Sequence, residues 1–183
     1  GQSIVKMPSD LAFYQELMAA HRVNTVLEIG YGNGGGLWFF ATIAALLGNG
    51  LIVGVDFKRV EDMPSFERFP DVRVNLVHGN GHAAATVEAV RVLSPEGFGL
   101  VVIDADPHPK GKLELLRRWS GLVAPGGFLV LEDVTSPECH HSQGLVEKEI
   151  DWFLLKNRHY QIVVEAARYP LLKARGAILR RVS

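Results

Sequence analysis

Thr25-Val26-Leu27-Glu28-Ile29-Gly30-Tyr31-Gly32-Asn33-Gly34-Gly35-Gly36 joins an apolar run to five glycines within twelve residues. An apolar run containing Val26, Leu27 and Ile29 stops at a cluster of glycines, and Leu37, Phe40, Ala41, Ala44 and Leu47 then recur at helical spacing. The pattern is strand, glycine turn, helix. In an open parallel sheet such a turn receives a nucleotide-like ligand, because glycine lets the backbone come close and the helix start offers free amides.

Working outward, Pro8-Ser9-Asp10 opens an earlier helix that Ser9 or Asp10 is placed to cap, with Leu11, Tyr14, Leu17 and Met18 at helical spacing to about His21. Downstream, Leu51 to Asp56 is an apolar run ending in a carboxylate, which predicts a buried parallel strand. Phe57 to Pro70 reads as a loop with a short helix. Val72 to Val77 predicts a third strand leading to the turn His78-Gly79-Asn80-Gly81-His82, and Ala83 to Leu93 a helix. Leu100 to Asp104 is a fourth strand, followed by the turn Ala105-Asp106-Pro107-His108-Pro109 and a helix from about Lys110 to Leu122. Pro125-Gly126-Gly127 turns the chain into Phe128 to Asp133, a fifth strand ending in two acids. After a polar loop, Val134 to Gln143, comes a helix from Leu145 to Leu155, then a closing pair of strands at Gln161 to Glu165 and Ala177 to Val182. Alternating strands and helices predict a three-layer α/β domain with a mainly parallel sheet, and the whole of 1–183 is expected to be one domain.

Composition narrows the function classes. A formal net charge of -1 leaves no broad basic field for nucleic acid. The single cysteine, Cys139, excludes an intramolecular disulfide and points to a reducing, cytoplasmic setting. No apolar run is long enough to span a membrane, and no signal-peptide core is present. The sequence does not begin with Met, which leaves open whether residues precede Gly1.

The strand ends carry the chemistry. Parallel connectivity brings Glu28, Asp56, Asn80, Asp104, Glu132 and Asp133 to one sheet edge, where ligands of open α/β folds bind. Capping of the next helix is the bland alternative for any one of these acids. Gly30, Gly32 and Gly35 satisfy G-x-G-x-x-G, and Asp56 stands where a ribose-binding acid belongs, so a nicotinamide-dependent oxidoreductase is one reading. Glu28 tilts the choice. Glu28, Gly30, Gly32 and Gly34 spell E-x-G-x-G-x-G, which resembles the S-adenosylmethionine (SAM) site of class I methyltransferases. A carboxylate there suits a ligand with an ammonium and a sulfonium and opposes a pyrophosphate.

The resemblance covers nearly the whole chain. Gly1-Gln2, Lys6 to Leu17, Glu28 to Gly36, Ile103-Asp104, Leu131-Glu132-Asp133 and Ile178 to Val182 are similar to the cephalosporin hydroxylase/rhamnosyl O-methyltransferase family. The resemblance implies a Rossmann-like methyltransferase fold, with a seven-stranded sheet and an antiparallel C-terminal strand. It also implies SAM-dependent O-methyl transfer to a small-molecule hydroxyl, of sugar or natural-product type. By the family's motif, Asp104, Glu132 and Asp133 would hold a divalent ion, and Asn80, Gly81 and His82 would neighbour the adenine. Three carboxylates favour a hard ion such as Mg2+, which would ease loss of a proton from a bound hydroxyl.

In one place the chain departs from the family. Relatives tend to carry His three residues after the metal Asp, where this sequence has Pro107, so His108 becomes the candidate base with Lys110 a weaker one and Asp104 beside them. A catalytically silent cofactor-binding protein of the same fold is therefore the main alternative, and a homo-oligomer stays open. Cys139-His140-His141 lacks zinc-finger spacing and reads as a substrate-covering loop. Trp38, Trp119 and Trp152 are expected in the core or an interface, and Arg117-Arg118 and Arg180-Arg181 on solvated faces.

Overall fold

The computed structural model describes residues 3–58, 63–106, 108–134, 143–164 and 177–183. In chain order the elements are α1 (Pro8–His21), β1 (Thr25–Ile29), α2 (Gly35–Leu46), β2 (Gly50–Asp56), β3 (Val72–His78), α3 (Ala84–Arg91) and β4 (Phe98–Ile103). They continue as α4 (Pro109–Trp119) with a 3-10 turn at Ser120–Leu122, β5 (Val123–Leu131), α5 (Gln143–Lys156), β6 (Tyr160–Ile162) and β7 (Ile178–Arg181).

The seven strands form one sheet in the order β3-β2-β1-β4-β5-β7-β6. β1 through β5 pair in parallel, and β7 runs antiparallel to both β5 and β6. The strand order reverses between β1 and β4, which makes their carboxyl ends the switch point where a crevice opens.

Period-two alternation sorts the side chains into two cores. Leu27 and Ile29 of β1, with Val101 and Ile103 of β4, meet α3, α4 and α5 through Val90, Leu116, Trp119 and Phe153. Val26, Val102 and Val130 face the other way, onto Tyr14 and Met18 of α1 and Leu37 and Phe40 of α2. Both faces being covered, the central strands read as continuous apolar runs.

The expected architecture is present, with local corrections. α1 starts with Pro8 at its first turn and Met7 in the capping position, without a side-chain cap bond, so neither Ser9 nor Asp10 caps it. Proline needs no capping of its missing N–H. The described part of the segment after β2 forms turns and no helix, with 59–62 outside the described residues. Pro125-Gly126-Gly127 does not precede β5 but lies within it. There the register slips between Phe98 and Leu100 of β4, as a left-handed Gly126 (φ 80°) absorbs the extra residues. Trp119 is fully buried, as expected, but Trp152 is 48% exposed, its ring flanked by Arg117 and Lys156. No helix among the described residues is long and apolar enough to cross a membrane.

Candidate active site

The glycine turn is built as its composition requires. Gly30, Gly32 and Gly34 all have positive φ (92°, 53° and 80°), a region that side-chain-bearing residues adopt only with strain. Gly30 also passes so close to the Asp104 carbonyl that a Cβ there would overlap it. The Asn33 side chain accepts the Gly35 amide at 3.1 Å, a local bond that ties the turn to the first residue of α2, whose capping position is Gly34.

Two adjoining cavities share Gly30, Gly32 and Asp104. The larger, about 590 Å³, is lined on one side by Asp56, Phe57 and Lys58 and on the other by Asn80, Gly81 and His82. Asp56 accepts the Gly32 amide at 3.1 Å through Oδ2 and the Lys58 amide at 2.9 Å through Oδ1. These bonds fix its orientation and leave each oxygen a second lone pair for a ligand. The Asn80 turn is held in the same way: its Oδ1 accepts the His82 amide at 2.9 Å, and the Gly81 carbonyl accepts Trp119 Nε1 at 3.0 Å. His82 Nε2 lies 3.1 Å from Asp106 Oδ2.

The smaller cavity, about 260 Å³, runs from the glycine turn to Glu28 under Ile4, Val5 and Lys6. Glu28 lies within β1 opposite Val102, and Asp104 and Glu132 follow the last residues of β4 and β5; each stands two residues beyond a side chain of the α1–α2 core (Val26, Val102, Val130), so alternation gathers them on one face. What they surround is an ammonium. Lys6 Nζ sits 2.8 Å from Asp104 Oδ2, 2.8 Å from Glu132 Oε1 and 3.1 Å from Glu28 Oε1, and its side chain is 3% exposed. Tyr14 donates its hydroxyl to the same Glu132 Oε1 at 2.6 Å. The buried Lys112 donates to the Glu132 carbonyl at 3.0 Å.

The electrostatics follow from burial and crowding. Burial works against the Lys6 charge, yet Glu28, Glu132 and Asp104 together hold its pKa well above the ordinary lysine value. Burial pushes Asp104 up to about 7, against the pull of Lys6 and with Glu132 and Glu28 adding to the rise. Glu28 is raised by burial too, partly offset by Lys6. Tyr14 is pushed well up by burial and by the neighbouring Glu132 carboxylate. Glu28 Oε2 is buried and has no hydrogen-bond partner among the described residues. An orphaned carboxylate oxygen beside a cavity fits a ligand that brings a cationic donor.

The expected site residues divide accordingly. Glu28, Gly30, Gly32, Asp56, Asn80, Gly81, His82 and Asp104 line the two cavities, while Gly34, one residue further round the turn, packs under Met63 and Pro64. Asp104 and Glu132 come together, but on Lys6. Asp133, one residue beyond Glu132, is left-handed (φ 57°) and lines neither cavity. Among the described residues no group of three or more His, Cys, Asp or Glu side chains is arranged to hold a metal ion. The oxygen donors suit a hard ion, but in this arrangement one oxygen each of Glu28, Asp104 and Glu132 is engaged by the Lys6 ammonium. His108 and Lys110 are exposed and line neither cavity; the His108 amide donates to Asp106 Oδ1 at 2.8 Å, so its backbone is tied into the turn. Pro107 and Cys139-His140-His141 lie outside the described residues.

Sequence reasoning gave no role to Lys6, Tyr14 or Lys112. Lys6 and Tyr14 fall within the stretch that carried the family resemblance, but nothing in their local pattern marks them as partners of the strand-end acids. For Lys112, a lone cation inside an apolar helical stripe was the available signal.

Comparisons with known proteins bear on the family and the fold. Rhamnosyl O-methyltransferase of Mycobacterium leprae (strain TN) is 29% identical over 136 residues, covering 73% of this chain and 58% of that protein. Rhamnosyl O-methyltransferase of Mycobacterium tuberculosis (strain ATCC 25618 / H37Rv) is 30% identical over 134 residues, covering 70% and 53%. The chain thus spans a little over half the length of these relatives. Among solved structures, CmcI with Mg and SAM superposes with a TM-score of 0.77 at 19% identity, over 100% of this chain and 75% of that one. MycE methyltransferase from the mycinamycin biosynthetic pathway, in complex with Mg and SAH, gives 0.58 at 20% identity over 80% and 41%. These structures share the fold. Rhamnosyl O-methyltransferase/CmcI is the family that matches residues 1–152, most of the 183-residue chain, and the chain belongs to it.

Proposed function

We propose that the protein is a SAM-dependent O-methyltransferase acting on a hydroxyl of a small molecule, of sugar or natural-product type. One observation carries this reading: the two cavities meeting at Gly30 and Asp104 offer an orphaned Glu28 oxygen at one end and Asp56 at the other. SAM presents an ammonium at one end and a ribose diol towards the other. Family membership, and the rhamnosyl and mycinamycin-pathway names of the relatives, support the same class.

Bound SAM would supply a methyl group activated by its sulfonium. The protein's own part is to hold and orient. Glu28 accepts from the ammonium, Asp56 takes the ribose hydroxyls through its free lone pairs, and the Asn80-Gly81-His82 turn borders the base. The glycine turn lets the backbone approach, and alignment of acceptor oxygen with donor methyl supplies most of what methyl transfer needs. Asp104 stands where the cavities join, so it is the expected catalytic side chain within reach of an incoming hydroxyl. Lys6 engages Asp104 and Glu132, two of the carboxylates that would hold a divalent ion, and such an ion would ease loss of the acceptor's proton.

Calorimetric titration with SAM and SAH, followed by methyl transfer from labelled SAM across a panel of sugars and hydroxylated natural-product scaffolds, tests the proposal. Micromolar binding with transfer to at least one acceptor is expected. Absence of SAM binding overturns it. Tight binding with no transfer across the panel would instead support the silent cofactor-binding reading, which the exposed position of His108 favours.

A further inference from the structure

Lys6 stands at the place where the sequence led to the expectation of a metal. Its ammonium has three N–H donors, and three carboxylates surround it, Asp104 Oδ2 and Glu132 Oε1 at 2.8 Å and Glu28 Oε1 at 3.1 Å. Glu132 Oε1 also accepts from Tyr14, so that oxygen is fully used. The backbone that delivers the lysine is itself anchored. The Ser3 carbonyl accepts from Asn33 Nδ2 at 3.2 Å, and Ser3 and Ile4 pack on Gly35 so closely that a Cβ there would overlap them. Lys6 is therefore brought in by a segment laid across the glycine turn.

An ammonium and a dication compete for such oxygens. A hard ion such as Mg2+ demands a near-octahedral oxygen shell at about 2.0–2.1 Å. A lysine hydrogen-bonded to two of those oxygens stands within that shell and repels the ion through a medium that screens poorly. We infer that Lys6 is the resident cation of the carboxylate cluster and competes with divalent ions for Asp104 and Glu132, so that an ion enters only as Lys6 withdraws. The affinity of this chain for divalent cations is then set by a residue that is not one of the expected ligands. The inference stands on the cluster and not on methyl transfer, so its failure leaves SAM binding and turnover to be judged separately.

Mn2+ is the probe, its free aqueous form counted by electron paramagnetic resonance. Three chains are compared: the native one, Lys6→Met, and Lys6→Met combined with Asp104→Asn. Lys6→Met is expected to bind Mn2+ roughly tenfold or more tighter than the native chain, and Asp104→Asn to abolish the gain. Equal affinity of native and Lys6→Met, or a gain that survives Asp104→Asn, overturns the inference. Should Lys6→Met fail to fold, the native chain decides. Acylation of Lys6 by an amine-reactive reagent, read by peptide mass spectrometry, is expected to be slow without metal and roughly threefold or more faster in excess Mn2+, as withdrawal exposes the amine. Lys6 labelling that does not change with Mn2+ overturns it.

Discussion

The two ends of the crevice are built on different principles. At the Asp56 end, each fixed side chain is tied to a near neighbour in its own turn, Asp56 to Lys58, Asn80 to His82 and Asp106 to His108, and the bonds between turns, Gly32 to Asp56 and His82 to Asp106, span only 24 residues each. At the Glu28 end the decisive contacts join residues far apart in the chain, Lys6 with Asp104 and Glu132 and Tyr14 with Glu132, at separations of 98, 126 and 118. The first end is a set of turns that can form as soon as their strands pair. The second exists only once α1 and the segment before it are packed on the sheet. Local hydrogen bonds at exposed turns are individually small, whereas charges buried together depend strongly on one another. The comparison predicts that perturbing the Glu28 end costs folding, while perturbing the Asp56 end costs binding.

The largest effect is expected for Lys6→Ala, which leaves three carboxylates buried without their counter-ion. Urea unfolding should show a loss of about 3 kcal/mol or more at neutral pH, and a loss below about 1 kcal/mol would mean that the cluster is not the buried unit described. Gly30→Ala comes next, because it forces a side chain into a left-handed position against the Asp104 carbonyl. About 2 kcal/mol of stability and most of the SAM affinity should go together, since the residue belongs to both cavities. Tyr14→Phe removes one hydrogen bond to a carboxylate and should cost about 1.5 kcal/mol in the same unfolding assay.

At the other end, Asp56→Ala should weaken SAM binding by about tenfold in calorimetry while leaving most of the stability in place. If instead it unfolds the chain while the remaining folded fraction binds normally, the contrast between the two ends fails. The smallest effect is expected for His108→Ala, whose side chain is exposed outside both cavities. Stability should change by no more than about 0.5 kcal/mol and methyl transfer by less than about threefold. A hundredfold loss of transfer, about 2.7 kcal/mol in the barrier, would show that the turn after β4 closes over the acceptor.

Much of this was legible from the sequence for a physical reason. Apolar runs broken by glycine and acid mark strand ends, and parallel pairing carries those ends to one edge, so the glycine turn, Asp56 and Asn80 to His82 could be placed together before any coordinates. Alternation likewise puts Glu28, Asp104 and Glu132 on one face. Asp133, grouped with them by motif, follows Glu132 by one residue, has a positive φ and lines neither cavity. The Pro125-Gly126-Gly127 bulge looks like a turn in the sequence because glycine and proline signal irregular backbone without saying whether pairing resumes beyond it. His108 fails to reach the cavities although it neighbours the expected position, since a shift of one residue at a helix start redirects the side chain.

The glycine turn and the acids at the strand ends are therefore properties of the sequence itself, fixed by periodicities of two and 3.6 and by the positive φ values that glycine tolerates. What neutralises those acids is not. Any of 19 lysines and arginines could have met them on charge alone. The choice of Lys6 came from the packing of α1 and its leading segment over the turn, because Coulomb attraction acts across distance in space and leaves no mark at a separation of 98 or 126 residues along the chain.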